Sequence, residues 1–228
     1  FYHGYDMTAP TFTAPGDTMI YSDEKCEYNA DPSITGDVTD ESDNCATGLE
    51  ASFKDEVTAG SCEGEKVITR TWSLVDNCSN AAADQIQIIT VKDNIDPTFD
   101  AQPAAISDIT CVDDLPVQEV LTASDTCGSA TVTPSVDPYT VDKCVGYAIT
   151  YRWTATDDCG NTSETTATFN VLKDEIDPTF DAQPAAISNI SCKDELPSQE
   201  VLTASDTCGT ATVVPTSEYV VDECNGYS

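Results

Sequence analysis

A chain of 228 residues with nine basic and 41 acidic side chains carries a formal charge of −32. Such a surface repels nucleic acid and anionic membrane and attracts divalent cations. Eleven cysteines exclude a reducing compartment unless they hold metal; with His3 the single histidine and no Cys-x-x-Cys pair, zinc is a poor reading.

Structural disulfides and an exported protein are therefore expected, secreted or at the cell surface. There is no run of 18 apolar residues, so no direct membrane insertion is expected. There is no signal peptide, so export is expected to be directed by a segment outside these residues.

The chain repeats. Asp6-Met7-Thr8-Ala9-Pro10-Thr11-Phe12 returns as Asp93-Asn94-Ile95-Asp96-Pro97-Thr98-Phe99 and again as Asp174-Glu175-Ile176-Asp177-Pro178-Thr179-Phe180. Each copy reads as an acidic joint whose proline fixes its own φ and holds the preceding residue extended. Phe99 and Phe180 stand 81 positions apart, which places three repeats over residues 1–92, 93–173 and 174–228. The third stops before it is complete, and the segment is expected to be a window from a longer chain. Residues 96–107 are identical to 177–188, and 118–128 to 199–209. Repeats two and three thus read as close duplicates and repeat one as a diverged relative.

No long amphipathic helix is legible. The apolar pattern is short, β-branched and broken by Gly, Pro, Asn and Asp. In repeat two, strands are predicted near 98–101, 106–110, 117–123, 130–134, 139–141, 147–155 and 165–172. Seven short strands point to tandem immunoglobulin-like antiparallel β-sandwiches, an all-β fold stapled by disulfides. Ile149, Tyr151, Trp153 and Ala155 share one face, as do Ala167, Phe169 and Val171. The matching rows in repeat one are Ile68, Arg70, Trp72 and Leu74, then Ile86 and Ile88. Arg70 is expected near a strand end, reaching solvent, and Trp72 and Trp153 are expected to anchor cores.

A complete repeat carries four cysteines: Cys26, Cys45, Cys62 and Cys78, then Cys111, Cys127, Cys144 and Cys159. The third carries Cys192, Cys208 and Cys224. Four cysteines allow three pairings. In a sandwich the first and third lie at one end and the second and fourth at the other, and opposite ends cannot bridge. The expected bonds are Cys26–Cys62, Cys45–Cys78, Cys111–Cys144, Cys127–Cys159 and Cys192–Cys224, with Cys208 left over. Each closes about 35 residues, worth roughly 3–4 kcal/mol by chain entropy. Sandwiches clamped in this way should bend at the joints.

Carboxylates gather near the second and fourth cysteines: Asp43 and Asp76 beside Asp6, with Asp40 close by; Asp125 and Asp157 beside Asp93 and Asp96, with Asp158; Asp206 beside Asp174 and Asp177. Hard oxygen ligands converging on a joint suit Ca²⁺, although Asp and Asn also serve simply as turn formers. No enzyme is expected. One terminal histidine cannot build a Ser–His–Asp or Cys–His site, no glycine loop cradles phosphate, and acids recurring in every repeat suit structure better than one active site. Asn161 and Asn189 open N-glycosylation sequons that read as chance.

The Asp-Pro-Thr-Phe joints, Asp-Asn/Thr-Cys, Thr-Trp-Ser-Leu-Val-Asp-Asn-Cys-Ser-Asn and Arg-Trp-Thr-Ala-Thr-Asp-Asp-Cys-Gly-Asn together resemble HYR-like (hyalin-repeat-like) immunoglobulin-fold repeats. Such repeats occur in giant secreted proteins of Bacteroidota, including gliding-motility and cell-surface adhesins. The resemblance spans nearly the whole chain and centres on Ala155–Asn161; repeat one departs from it at Leu74-Val75-Asp76 and at Ser79. It implies an extracellular filament, exported by type IX secretion and serving as stalk or spacer in gliding or attachment. Asp17-Thr18-Met19 fits the O-glycosylation triplet of that phylum. The implied partners are neighbouring repeats of the same chain and surface glycans or other cells. The competing readings are a carbohydrate- or protein-binding module and an accessory region of a secreted multidomain enzyme.

Overall fold

The computed structural model describes residues 5–186, 198–216, 221–222 and 226–227. These form two compact units, one of Phe1–Ala104, Gln118–Ser135 and Arg152–Thr166, the other of Ala105–Val117, Val136–Tyr151 and Ala167–Ser228. Each is all-β apart from one helical turn among the described residues.

In the first unit, β1 (Thr18–Tyr21), β2 (Ser52–Ala59), β3 (Lys66–Ser73) and β4 (Gln85–Lys92) form a sheet of order β1-β4-β3-β2. The β2–β3 and β3–β4 pairs are antiparallel, whereas β1 lies parallel to β4 with Thr18 opposite Ile89. β2 is an edge strand exposed at all eight positions, and its Lys54, Asp55 and Glu56 discourage further strand pairing. The helical turn α1 (Pro32–Thr35) is capped by Asp31, whose side chain accepts from the Ser33 amide at 2.9 Å. It ends at Gly36, where φ is +100° and a Cβ would stand 2.9 Å from that of Pro15.

Alternation along β3 buries Ile68, Arg70, Trp72 and Leu74. Ile68 joins Ile20, Ile89 and Val91 in one cluster; Trp72 and Leu74 join Phe12 and Val38 in another. A polar waist lies between them in the strand. Arg70, 1% exposed, forks onto Asp55 with both bonds at 2.8 Å, donates to Thr35 Oγ1 at 2.9 Å and to the Ala30 carbonyl at 2.6 Å, and lies over the Phe53 ring. Gln87 donates to the Gly16 and Thr35 carbonyls and accepts from Trp72 Nε1. The expectation that Arg70 reaches solvent is therefore wrong: its charge is neutralised inside by a bidentate carboxylate.

The inward face of β4 is Gln87, Ile89 and Val91, and Ile86 is 61% exposed. The predicted Ile86/Ile88 face is thus one residue out of phase. Between the Val75–Ala81 bridge and the Trp72–Gln85 pair, β3 advances three residues and the returning chain four. The extra residue is a bulge, and a single-residue slip exchanges the two faces.

Further on, β5 (Thr98–Phe99) pairs with β6 (Ala123–Ser124). β7 (Ala130–Val136), β8 (Tyr147–Asp157) and β9 (Thr162–Val171) form a sheet in that order. Ile149, Tyr151, Trp153, Ala155, Phe169 and Val171 are buried, as their alternation requires. Trp153 Nε1 donates to the Glu119 carbonyl at 2.8 Å. In the second unit Tyr151 meets Phe169 edge-on and donates its hydroxyl to the Pro116 carbonyl at 2.5 Å.

Four predicted strands shrink, the first of them 98–101, which keeps only the two residues of β5. The stretch 106–110 keeps one parallel bridge, Ile109 to Val171; 117–123 keeps only Ala123; 139–141 forms none. Val117 and Val120 are more than nine-tenths exposed, and that stretch is tied down by the Gln118 side chain, which donates to the Ser135 and Arg152 carbonyls. Side-chain bonds there replace a backbone ladder. The last short strands are β10 (Thr179–Phe180) with β11 (Ala204–Ser205), and β12 (Val221–Asp222) with β13 (Gly226–Tyr227).

Candidate functional site at the joints

Among the described residues six cysteines sit in the same local device, Asp-x-Cys. The aspartate Oδ1 accepts the cysteine amide in an Asx turn at Asp43–Cys45, Asp76–Cys78, Asp125–Cys127, Asp142–Cys144, Asp157–Cys159 and Asp206–Cys208, at 2.7–3.0 Å. At Asp76 and Asp157 the turn is extended. Asn80 and Asn161 donate Nδ2 to the aspartate Oδ2 at 2.7 and 2.8 Å, and also reach the joint carbonyls of Asp6 and Asp93 at 3.3 and 3.4 Å. The Asp-x-Cys-x-Asn spacing that carries this role is written twice in the sequence, although its connection to the joint was not read from it.

The disulfides join different repeats. Cys26 bonds Cys127, Cys62 bonds Cys159 and Cys111 bonds Cys208, with Cα separations of 5.0, 5.2 and 5.6 Å. The expected Cys26–Cys62, Cys111–Cys144 and Cys127–Cys159 bonds are corrected. The expected Cys45–Cys78 bond is absent as well: Cys45, Cys78 and Cys144 are free and exposed, and Cys208 is bonded rather than left over. Cys192 and Cys224 lie outside the described residues, as does Asn189.

The repeats are not closed units. The joint is short, so the first- and third-cysteine loops of one repeat meet the second- and fourth-cysteine loops of the next. Gly64, in the third-cysteine turn, shows how closely: a Cβ there would stand 2.8 Å from that of Asp93 and 2.9 Å from that of Cys127. Cys127 Sγ also lies 3.6 Å from Ser22 Oγ. Two covalent bonds consequently span the Asp93 joint, which the sequence suggested was a place to bend.

The joint carboxylates converge. Oxygens of Asp6, Asp43 and Asp76 lie within 4.8 Å of one another. Ligand atoms of Asp93, Asp125 and Cys127 lie within the same limit, although the Cys127 sulfur is already committed to its disulfide; Asp174 groups in the same way with the bonded Cys111 and Cys208. Asp93 is buried, and its pKa is raised by that burial and by the charges of Asp125, Asp157 and Glu65, against the opposing Ile95 amide. Asp43 is lowered by the Ala46 and Cys45 amides. Burial pushes Asp76 up, but its bonds from Asn80 and Cys78 outweigh this and leave it lowered. The Cys45 thiol is raised chiefly by Asp6, then by burial and Asp43.

Oδ2 of Asp43 and Oδ2 of Asp125, equivalent atoms of successive repeats, are buried with no hydrogen-bond partner. An orphaned carboxylate oxygen is costly unless a cation meets it, so the donor set fits a hard divalent ion. Asp96 and Asp177 are exposed and outside these groups, and Asp206 is half-buried beside Cys208. Asp40 and Asp158 serve other partners, the Thr13 amide and Ser129.

Residues 99–171 match the family described as the HYR-like domain with 4 cysteines. That stretch is similar to an HYR-like domain. Its four cysteines are Cys111, Cys127, Cys144 and Cys159, and the HYR-like repeat contributes one side of every described bond. No protein of curated function matches the sequence. Among solved structures the chain is similar to Drosophila N-cadherin EC1-4 at 12% identity, covering 73% of this chain and 50% of that one with a TM-score of 0.38. It is also similar to human CDH23 EC21-23 at 14% identity, covering 89% and 81% with a TM-score of 0.37. Mouse Cadherin-23 EC22-24 follows at 14% identity, 87% and 78% coverage and a TM-score of 0.34. The chain spans half the length of the N-cadherin fragment. The three disulfides among the described residues accord with a secreted or surface protein; among those residues no helix is long and apolar enough to cross a membrane.

Proposed function

We propose that this chain is a structural segment of a secreted, filamentous cell-surface adhesin, built from repeats over 1–92, 93–173 and 174–228. It acts as a stalk that spaces a distal binding part in gliding or attachment, and it leaves by type IX secretion. The observation that carries this reading is the bonding of first and third cysteines to the second and fourth cysteines of the following repeat. Bonds within one repeat would stabilise that repeat alone. Bonds across a joint carry tension past it, which is what a stalk needs.

Calcium belongs to the same reading. Asp6, Asp43 and Asp76 would hold one ion, and Asp93, Asp125 and Asp157 a second. The ion would supply positive charge to carboxylates that otherwise repel, while the protein holds each Oδ1 on an Asx-turn amide and leaves Oδ2 of Asp43 and Asp125 to face it.

In-frame deletion of this segment from the parent protein tests the stalk. Electron microscopy of cells is expected to show shorter filaments that still display the distal part and still attach. Filaments of unchanged length, or normal filaments with attachment lost, would instead favour a binding module.

A further inference from the structure

We infer that Cys45 and Cys78 are disulfide acceptors for the first and third cysteines of a like repeat placed ahead of Asp6, so that each joint of the fibre carries two disulfides. This rests on the repeat reading above.

Three bonds obey one rule. The first cysteine of a repeat bonds the second of the next (Cys26–Cys127, Cys111–Cys208), and the third bonds the fourth of the next (Cys62–Cys159). Cys45 and Cys78 are the second and fourth cysteines of repeat one. They sit on the same Asp-x-Cys turns as Cys127 and Cys159. They line one small recess with Asp6, Ala46 and Asp76. Their surroundings differ from those of their counterparts in one respect. Cys127 and Cys208, covered by the loops they bond, are 6% and 1% exposed, whereas Cys45 is exposed. What covers Cys127 is the bonded Cys26 loop together with the Gly64 turn beside Cys62, so the first- and third-cysteine loops of a preceding repeat, taken together, are the occupant the recess fits. Cys144, a third cysteine, would by the same rule take the fourth cysteine of the repeat that opens at Asp174.

Each bond forms by two exchanges with a dithiol–disulfide oxidase of the export compartment. One protein thiolate attacks the oxidase disulfide to give a mixed disulfide. The partner thiolate then attacks the protein sulfur of that intermediate and expels the oxidase thiolate. Two protein thiols lose two electrons to the oxidase, which leaves as a dithiol.

The test is non-reducing peptide mapping of the full parent chain after blocking free thiols with a maleimide. Cys45 and Cys78 are expected to escape the label and to appear in peptides cross-linked to two cysteines upstream of Asp6. A Cys45→Ser/Cys78→Ser double variant is expected to expose two newly labelled cysteines, both upstream, while Cys26–Cys127 and Cys62–Cys159 persist. A Cys45–Cys78 bond, labelling of both thiols in the parent chain, or bonds to a second copy would each overturn the inference. So would a double variant that exposes no new thiol. Those outcomes leave the stalk reading standing, since it is judged by filament length.

Discussion

Cys26 is bonded to Cys127, 101 residues away and on the far side of the Asp93 joint. Cys62 and Cys159 repeat the connection at a separation of 97. A loop of this size is worth about 4.7 kcal/mol by chain entropy, against the roughly 3–4 expected from closure within a repeat. The two loops overlap, so their contributions do not add.

Cys62→Ser/Cys159→Ser should therefore lower stability by about 2–5 kcal/mol. The loss is read from unfolding free energies extrapolated to water, with the m-value free to rise because the unfolded chain is less constrained. Non-reducing digestion should still recover Cys26 joined to Cys127. Recovery of Cys26 joined to Cys62 in the parent protein would refute the crossed pattern.

The Arg70–Asp55 fork makes an unequal pair of variants. Asp55→Ala strands a guanidinium that is 1% exposed and should cost about 3–5 kcal/mol. Arg70→Met leaves Asp55 unpaired, but its side chain is 27% exposed and hydrated, and the methionine packs beside Phe53 and Trp72. The methionine variant should lose less. Equal losses in equilibrium unfolding would mean that the guanidinium is not the costly partner.

These residues show which information the sequence held. Periodicity found the buried face of β8, because Ile149, Tyr151, Trp153 and Ala155 alternate without interruption and burial follows side-chain direction. It misplaced β4, because the bulge before Gln85 has no signature beyond Ala81-Ala82-Ala83. It misjudged Arg70, because the carboxylate that neutralises it comes from another strand. The cysteine positions were legible, but their partners were not. Pairing depends on how one repeat meets the next, and local spacing encodes only the Asx turn that aims each sulfur. The meeting of Asp6, Asp43 and Asp76 follows from their places at a joint and on two Asp-x-Cys turns, which the sequence does show.

Glu65 sets an acid limit. It is buried, and bonds from Lys92 and then Ser61 hold its carboxyl down to about 2. A lowered carboxyl stabilises the fold above its unfolded value near 4.5, and that contribution is lost as pH falls toward 2. Lys92→Met should abolish most of it, costing ~1–3 kcal/mol at pH 7 and little at pH 2. The check is the difference between wild-type and variant unfolding free energies across that window; a difference that stays flat would show that the pair contributes nothing.

Asp93 runs the other way. Its raised pKa means that the fold favours the neutral acid, so its contribution is fully present below the unfolded value near 3.8 and is lost as pH rises through the folded one. At pH 7, without divalent ions, the Asp93 charge opposes folding. Asp93→Asn keeps an oxygen for the Ile95 amide, now accepted at 3.0 Å, and removes the repulsion from Asp125 and Asp157. In chelator the variant should melt above wild type at pH 7, and the gap should close toward pH 4. Millimolar Ca²⁺ should reverse the order, because wild type gains about 2.7 kcal/mol when the free ion is at one hundred times its Kd, and the variant gains less. Wild-type melting that is the same in calcium and in chelator would remove calcium from the joints. A variant that melts below wild type in chelator at pH 7 would remove the repulsion itself.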